Sequence, residues 1–98
     1  PHPERIEIRK GLFPQTAAGL EGERFALVSL DVCLEESTLH GLRFFLPRMC
    51  EGGYLLLHDY LTPKLPGVKR ALERYEAEAG RVRAVPLSDV NGTLVISV

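Results

Sequence analysis

Two stretches decide how this chain folds: Phe25-Ala26-Leu27-Val28-Ser29-Leu30-Asp31 and Tyr54-Leu55-Leu56-Leu57-His58-Asp59. Each is a nearly unbroken apolar run that stops at an acidic residue. Short runs of this kind fit strands buried on both faces, as in a parallel sheet. Parallel neighbours need a crossover between them, and the intervening residues supply one. Leu39, Leu42, Phe45, Leu46 and Met49 recur at spacings of three and four, which predicts a helix over 35–49 with one apolar face. Glu35 and Glu36 sit in its first turn, where the positive end of the helix dipole favours them. Pro47 removes one backbone donor late in its course, and Gly52-Gly53 is expected to terminate it.

The pattern continues outward from the second run. Pro63 marks a loop over 61–65, and Pro66 suits a first helical turn. Val68, Ala71, Leu72, Tyr75 and Ala79 then trace a helical stripe, with Lys69–Glu73 and Arg74–Glu78 as i,i+4 pairs on the polar face and Gly80 as the stop. Val82–Val85 and Thr93–Val98 read as closing strands joined through Asn91-Gly92, a strong turn signal. Upstream, Arg5 to Arg9 alternates polar and apolar, so Ile6–Ile8 reads as a half-buried or edge strand. Leu12 to Leu20, with Pro14 and Gly19, reads as a loop or short helical turn.

Alternating strands and helices imply a parallel sheet with right-handed crossovers. The expectation is a three-layer α/β arrangement with Phe25–Leu30 parallel to Tyr54–Leu57. Thr93–Val98 should lie antiparallel beside Tyr54–Leu57, with Val82–Val85 on the far edge. The expected core is Leu27, Leu30, Leu42, Phe45, Leu55, Leu57, Val68, Leu72, Leu94 and Ile96.

Composition narrows the function. The 98 residues suit one small domain, 45% hydrophobic and 26% charged, with a formal net charge of −1. Lys and Arg are scattered, which argues against a nucleic-acid footprint. No apolar run approaches the roughly 20 residues that span a bilayer, and Pro1 to Lys10 is polar and charged. The chain opens on Pro1-His2-Pro3, so a processed or trimmed chain is expected. Cys33 and Cys50 do not make a disulfide framework, and reduced thiols in a cytoplasmic protein are expected. The expected partner is a small-molecule substrate, with neither nucleic acid nor membrane.

Asp31 and Asp59 stand at the carboxyl ends of consecutive buried strands, the rim where open α/β sheets bind ligands. Neighbouring strands lie about 4.8 Å apart. Two carboxylates at that spacing repel unless a cation or a shared proton sits between them. The alternative, that each caps the helix or loop that follows, has about equal standing. His58 adjoins Asp59 and is a weaker candidate, because adjacent strand residues face opposite sides. Cys33 could face the same rim, although a buried inert thiol is the plainer reading.

Several segments together resemble the macrocin O-methyltransferase family. Leu30-Asp31-Val32-Cys33-Leu34-Glu35-Glu36-Ser37-Thr38 is similar to its D-x-D-L-Y-E-S-T segment. Pro47-Arg48, Gly52-Gly53-Tyr54 and His58-Asp59-Tyr60 are similar to its P-K/R, G-G-Y/F and D-D-Y elements. Lys10-Gly11-Leu12-Phe13-Pro14-Gln15-Thr16 resembles its G-x-F-x-x-T turn, and Val68-Lys69-Arg70-Ala71 the helix that follows. The likeness covers about residues 6–98.

The resemblance implies the C-terminal part of a Rossmann-like methyltransferase sheet, mostly parallel with a terminal antiparallel hairpin. It also implies methyl transfer from S-adenosylmethionine to a hydroxyl of a sugar or natural product, assisted by a divalent metal, with Mg²⁺ suggested by the aspartates. Carried over, Asp31, His58 and Asp59 are the metal ligands, while Gly11, Leu12 and Phe13 touch the cofactor's adenine side. No catalytic residue follows from it. His58 replaces an Asp of the pattern and Cys33 replaces the second Asp of D-x-D; an imidazole would favour Mn²⁺, Fe²⁺ or Zn²⁺.

The family's glycine-rich cofactor loop and its acidic ribose ligand are not in this sequence. The chain therefore reads as the C-terminal half of a methyltransferase domain, and the chain alone is expected not to hold the cofactor. The unpaired strand Ile6–Ile8 and the open edge at Phe25–Leu30 suggest a homo-oligomer or pairing with the missing N-terminal half. A non-catalytic half-domain acting as an interaction module is the competing reading. A phospho-acceptor domain, which also places an aspartate at a strand end, lacks its five βα units here.

Overall fold

The structure, a computed structural model, describes residues 2–98. Strand β1 (Phe25–Leu30) leads into helix α1 (Glu35–Phe45), then strand β2 (Met49–Leu57), helix α2 (Pro66–Ala79), strand β3 (Arg83–Pro86) and strand β4 (Leu94–Ser97). The sheet runs β1-β2-β4-β3. β1 and β2 are parallel, with Val28 beside Leu55 and Leu30 beside Leu57. β4 is antiparallel to β2, with Ile96 beside Leu55 and Leu94 beside Leu57, and β3 closes the far edge antiparallel to β4. Strand order and directions are those the sequence implied.

Both helices contribute to a single core on one side of the sheet. Val28, Leu30, Leu55, Leu57, Leu94 and Ile96 point into it from the strands and meet Leu42 and Leu46 from the first crossover and Val68 and Leu72 from the second. The expected third layer is therefore absent among the described residues. Leu27, expected in the core, is 65% exposed, with Tyr54 and Val85 also bare. The reason is parity: Val28 and Leu30 face the helices, so Leu27 and Ser29 must face away. Helix α1 comes close at Gly41, where an added Cβ would lie 2.6 Å from a Leu30 methyl.

Several features differ from expectation; β2, for one, begins at Met49 and not at Tyr54. The first helix ends at Phe45 rather than Met49, because Pro47 forces a 3-10 turn over Leu46–Arg48. Gly52-Gly53 does not stop that helix but lies inside β2. Gly52 adopts φ +82°, and a Cβ on Gly53 would press 2.8 Å from the Ala26 carbonyl oxygen, so the pair lets β2 approach β1 where the register shifts between Phe25 and Leu27. The expected strand Ile6–Ile8 does not form. Ile6 and Ile8 are exposed, and the Arg9 guanidinium instead donates to the carbonyls of Thr16 and Ala18, tying this segment to the turn at Gln15–Ala17. A strand without a neighbour leaves its donors and acceptors to water.

The polar faces of the helices pair with each other and not along α2 as expected. Arg74 donates to Glu35 and Glu36, and Arg43 makes two bonds to Glu78 at 2.6 and 3.0 Å. Glu36 is held below its usual 4.5 first by its hydrogen bond to Arg74, and Glu78 likewise by Arg43.

These observations set two expectations. Leu57→Ala should cost about 2–5 kcal/mol in urea unfolding as a core truncation, whereas Leu27→Ala, on the bare face, should cost less than about 0.5 kcal/mol. Carboxylates with lowered folded values contribute stability that is fully present above their unfolded value and lost as pH falls through the folded one. The urea midpoint should accordingly hold from neutral pH down to about 4.5 and fall below it, and Arg74→Gln should flatten that fall.

Candidate functional site

The ladder between β1 and β2 builds the site. With Leu30 beside Leu57, the two strands end together, and the His58 amide still donates to the Leu30 carbonyl at 3.1 Å. Beyond this point both chains leave the extended conformation. Cys33 takes φ 63° inside a three-residue turn closed by the Leu34 amide on the Val32 carbonyl, and Asp59 takes φ 60°. Left-handed backbone is uncommon for a non-glycine residue, costs on the order of 1–3 kcal/mol, and concentrates at functional sites. No non-glycine residue besides these two has positive φ among the described residues.

The two turns fold Asp31, Cys33 and Asp59 onto one another. One ligand atom from each lies within 4.8 Å of the others. Cys33 Sγ donates to Asp59 Oδ2 at 3.6 Å. None of the ion pairs among the described residues involves Asp31 or Asp59, so the negative charge there has no cationic partner among them. Desolvation chiefly, then the Asp59 charge, the hydrogen bond to Asp59 and the Asp31 charge push the Cys33 thiol above its usual 9.0.

His58 is not part of this cluster. Its Nε2 lies 2.7 Å from Ser29 Oγ, on the sheet face away from the core, and its Nδ1 lies 3.4 Å from Thr93 Oγ1. Thr93 donates its hydroxyl to Asp89 at 2.5 Å. Its oxygen is then left to accept from Nδ1–H, which makes Nε2 the acceptor of the Ser29 proton. Both ring nitrogens are thus engaged away from the carboxylates. Of the residues singled out from the sequence as metal ligands, the structure brings Asp31 and Asp59 together and turns the His58 ring to Ser29 and Thr93, while Cys33 lies beside the two carboxylates. The signal was present in the position of Cys33 two residues after Asp31, but the left-handed turn that aims it leaves no mark in the sequence.

Gly11, Leu12 and Phe13 are not near this rim. Phe13 stacks on Phe45 at 6.2 Å between ring centroids, and Phe25 meets the same ring edge-on at 5.2 Å. They therefore lie at the opening end of β1, a strand length from Asp31. Leu12 is exposed.

The mixed sheet carries converging acidic groups just past the carboxyl ends of its two parallel strands, the rim at which open α/β sheets bind ligands. The family model described as macrocin O-methyltransferase matches residues 2–96, and the chain belongs to this family. It is 29% identical over 90 residues to an 8-demethyl-8-(2,3-dimethoxy-alpha-L-rhamnosyl)-tetracenomycin-C 4'-O-methyltransferase from Streptomyces olivaceus, covering 92% of this chain and 33% of that protein. Among solved structures, the O-methyltransferase NovP is similar with TM-score 0.66 and 26% identity, covering 76% of this chain and 30% of that one. CalS11, a TDP-rhamnose 3'-O-methyltransferase of calicheamicin biosynthesis, shares the fold with TM-score 0.68 and 20% identity, covering 86% of this chain and 36% of that one. The chain thus spans about a third of the length of these relatives.

The residues present fit the two groups that such a family implies to different degrees. Asp31, Cys33 and Asp59 are anionic or ionisable donors close enough to share one divalent ion. For S-adenosylmethionine the described residues make no cradle: Gly11, Gly19 and Gly22 all precede the first strand, so none turns a strand into a helix where backbone could approach a ligand.

The thiol's environment gives a direct check. In a Cys50→Ser background, Cys33 should alkylate more slowly at pH 8 than a free thiol, because only the thiolate reacts. Asp59→Asn removes a negative charge and should speed it severalfold; an unchanged rate would place Asp59 outside the thiol's field.

Proposed function

We propose that this chain supplies the carboxyl-terminal half of an O-methyltransferase domain that transfers a methyl group from S-adenosylmethionine to a sugar hydroxyl of a natural product, with a divalent ion held at the rim. The observation that carries the reading is the convergence of Asp31 and Asp59 at the ends of adjacent parallel strands, within a chain of the macrocin O-methyltransferase family. The rhamnosyl substrate in the name of the Streptomyces olivaceus relative supports a glycosylated acceptor.

Asp31 and Asp59 would hold the ion from the turns that follow two paired strands, so the sheet sets where they meet. Cys33 closes the third side. A divalent ion here would lower the pKa of a bound acceptor hydroxyl, and the methyl donor would supply the electrophilic carbon. The ring of His58, bonded to Ser29 and Thr93, steadies the strand end from which Asp59 projects. Most of the donor's contacts come from the remainder of the domain, with Gly11, Leu12 and Phe13 on its adenine side. The remainder of the domain pairs with the open edge of β1 and covers the face that bears Leu27 and Tyr54.

In the complete enzyme carrying this segment, Asp31→Asn and Asp59→Asn should each lower kcat at least about a hundredfold, in the range that removal of one electrostatic stabiliser produces, and raise the metal concentration needed for half-maximal rate. Full activity in both variants would end the metal-assisted reading.

A further inference from the structure

The donor set at the rim is not a set of three carboxylates, and this bears on which ion it takes. Hard ions such as Mg²⁺ bind oxygen donors, whereas thiolate ligands select softer, borderline ions. Cys33 Sγ is 3.6 Å from Asp59 Oδ2. With Zn–S at about 2.3 Å and Zn–O at about 2.1 Å, a tetrahedral ion separates sulfur and oxygen by about 3.6 Å. The sulfur therefore already stands at ligand spacing from Asp59, held there by the turn that gives Cys33 its φ of 63°.

We infer that Cys33 is a metal ligand and that the rim centre selects a thiophilic divalent ion of the Zn²⁺ and Co²⁺ kind over the oxygen-loving Mg²⁺ and Mn²⁺. The inference rests on the metal-assisted reading above. On binding, the Cys33 S–H bond breaks and its proton passes to solvent. A metal–sulfur bond replaces one metal–water bond, and the water is released. Asp31 and Asp59 supply the oxygen ligands, and the place not filled by the chain remains for water or the acceptor hydroxyl.

The test is direct metal titration of this chain in a Cys50→Ser background, so that only one thiol is present. Co²⁺ should produce a near-ultraviolet sulfur-to-cobalt charge-transfer band, and Cys33→Ser should abolish it. Calorimetry should give a Zn²⁺ preference over Mn²⁺ that falls at least about tenfold in Cys33→Asp, which restores an all-oxygen set. Circular dichroism checks that each variant is folded, and the two substitutions at one position keep the result readable if one fails to fold. Absence of the band, or a Zn²⁺-to-Mn²⁺ ratio unchanged in Cys33→Asp, overturns the role of Cys33. If binding is nevertheless weakened by Asp31→Asn, the rim centre stands and only its selectivity is wrong. If no divalent ion binds, or binding survives both Asp31→Asn and Asp59→Asn, the metal-assisted reading falls together with the inference.

Discussion

The parallel pairing of β1 with β2 is the constraint on which the rest of the structure depends. Side chains alternate along a strand, so a slip of one residue would exchange the two faces of the sheet. With Leu30 beside Leu57, one face of both strands lies under the helices and both acidic ends finish at one level. Two glycines allow this register. Gly53 lets the β2 backbone approach the Ala26 carbonyl, and Gly41 lets α1 settle on Leu30. A methyl group at either place would have to displace a neighbour, in one case a backbone oxygen. The ion pairs from Arg43 and Arg74 then join the outer surfaces of the helices, and surface pairs of this kind add little beside the core they flank.

Much of the architecture was legible because its signals are strong and local. Unbroken apolar runs, a helical stripe from Val68 to Ala79 and an Asn91-Gly92 turn leave few ways to order four strands. The failures share one physical origin. A continuous apolar run such as Phe25–Leu30 carries no alternation, so it does not reveal which face meets the helices; that is decided by two helices lying on the same side. Without that information Leu27 reads as a core residue, although it is exposed. Ile6–Ile8 has the alternation of a strand, but pattern alone cannot supply the neighbour that a strand requires, and its backbone remains unpaired to any sheet. Gly52-Gly53 reads equally well as a helix stop or a strand irregularity, and Pro47 had already ended the helix.

The site was legible to the extent that strand ends are. Asp31 and Asp59 follow from where the apolar runs stop. The third member does not, because its direction depends on backbone angles that a non-glycine residue seldom adopts. Family resemblance favoured His58 by position in a motif. The structure separates the two because the chain leaves extended backbone at Asp59, with φ 60°, while the His58 ring lies against Ser29. Ser29, Thr93 and Asp89 then account for His58 as part of the scaffold behind the site. Cys33, read more readily as an inert thiol, reaches Asp59 only because the Val32–Leu34 turn bends the chain back.

The energetic character of the rim also argues for a bound partner. Two left-handed residues together cost on the order of several kcal/mol, a large share of the roughly 5–15 kcal/mol by which a domain is stable. To this is added the repulsion of two carboxylates with no cationic partner among the described residues, and a thiol whose pKa is raised first by desolvation and then by their charge. Nothing in the helix packing or the sheet register requires any of these features; Asp31, Cys33 and Asp59 all lie beyond the strand ends. A ligand that binds only the folded arrangement returns stability in proportion to its occupancy, about 2.7 kcal/mol at a hundred times its dissociation constant. A cation at this point would neutralise the repulsion and make use of the turns that aim the three side chains. Backbone strain and negative charge thus coincide on the same few residues, and the cation proposed for the rim would offset the charge repulsion.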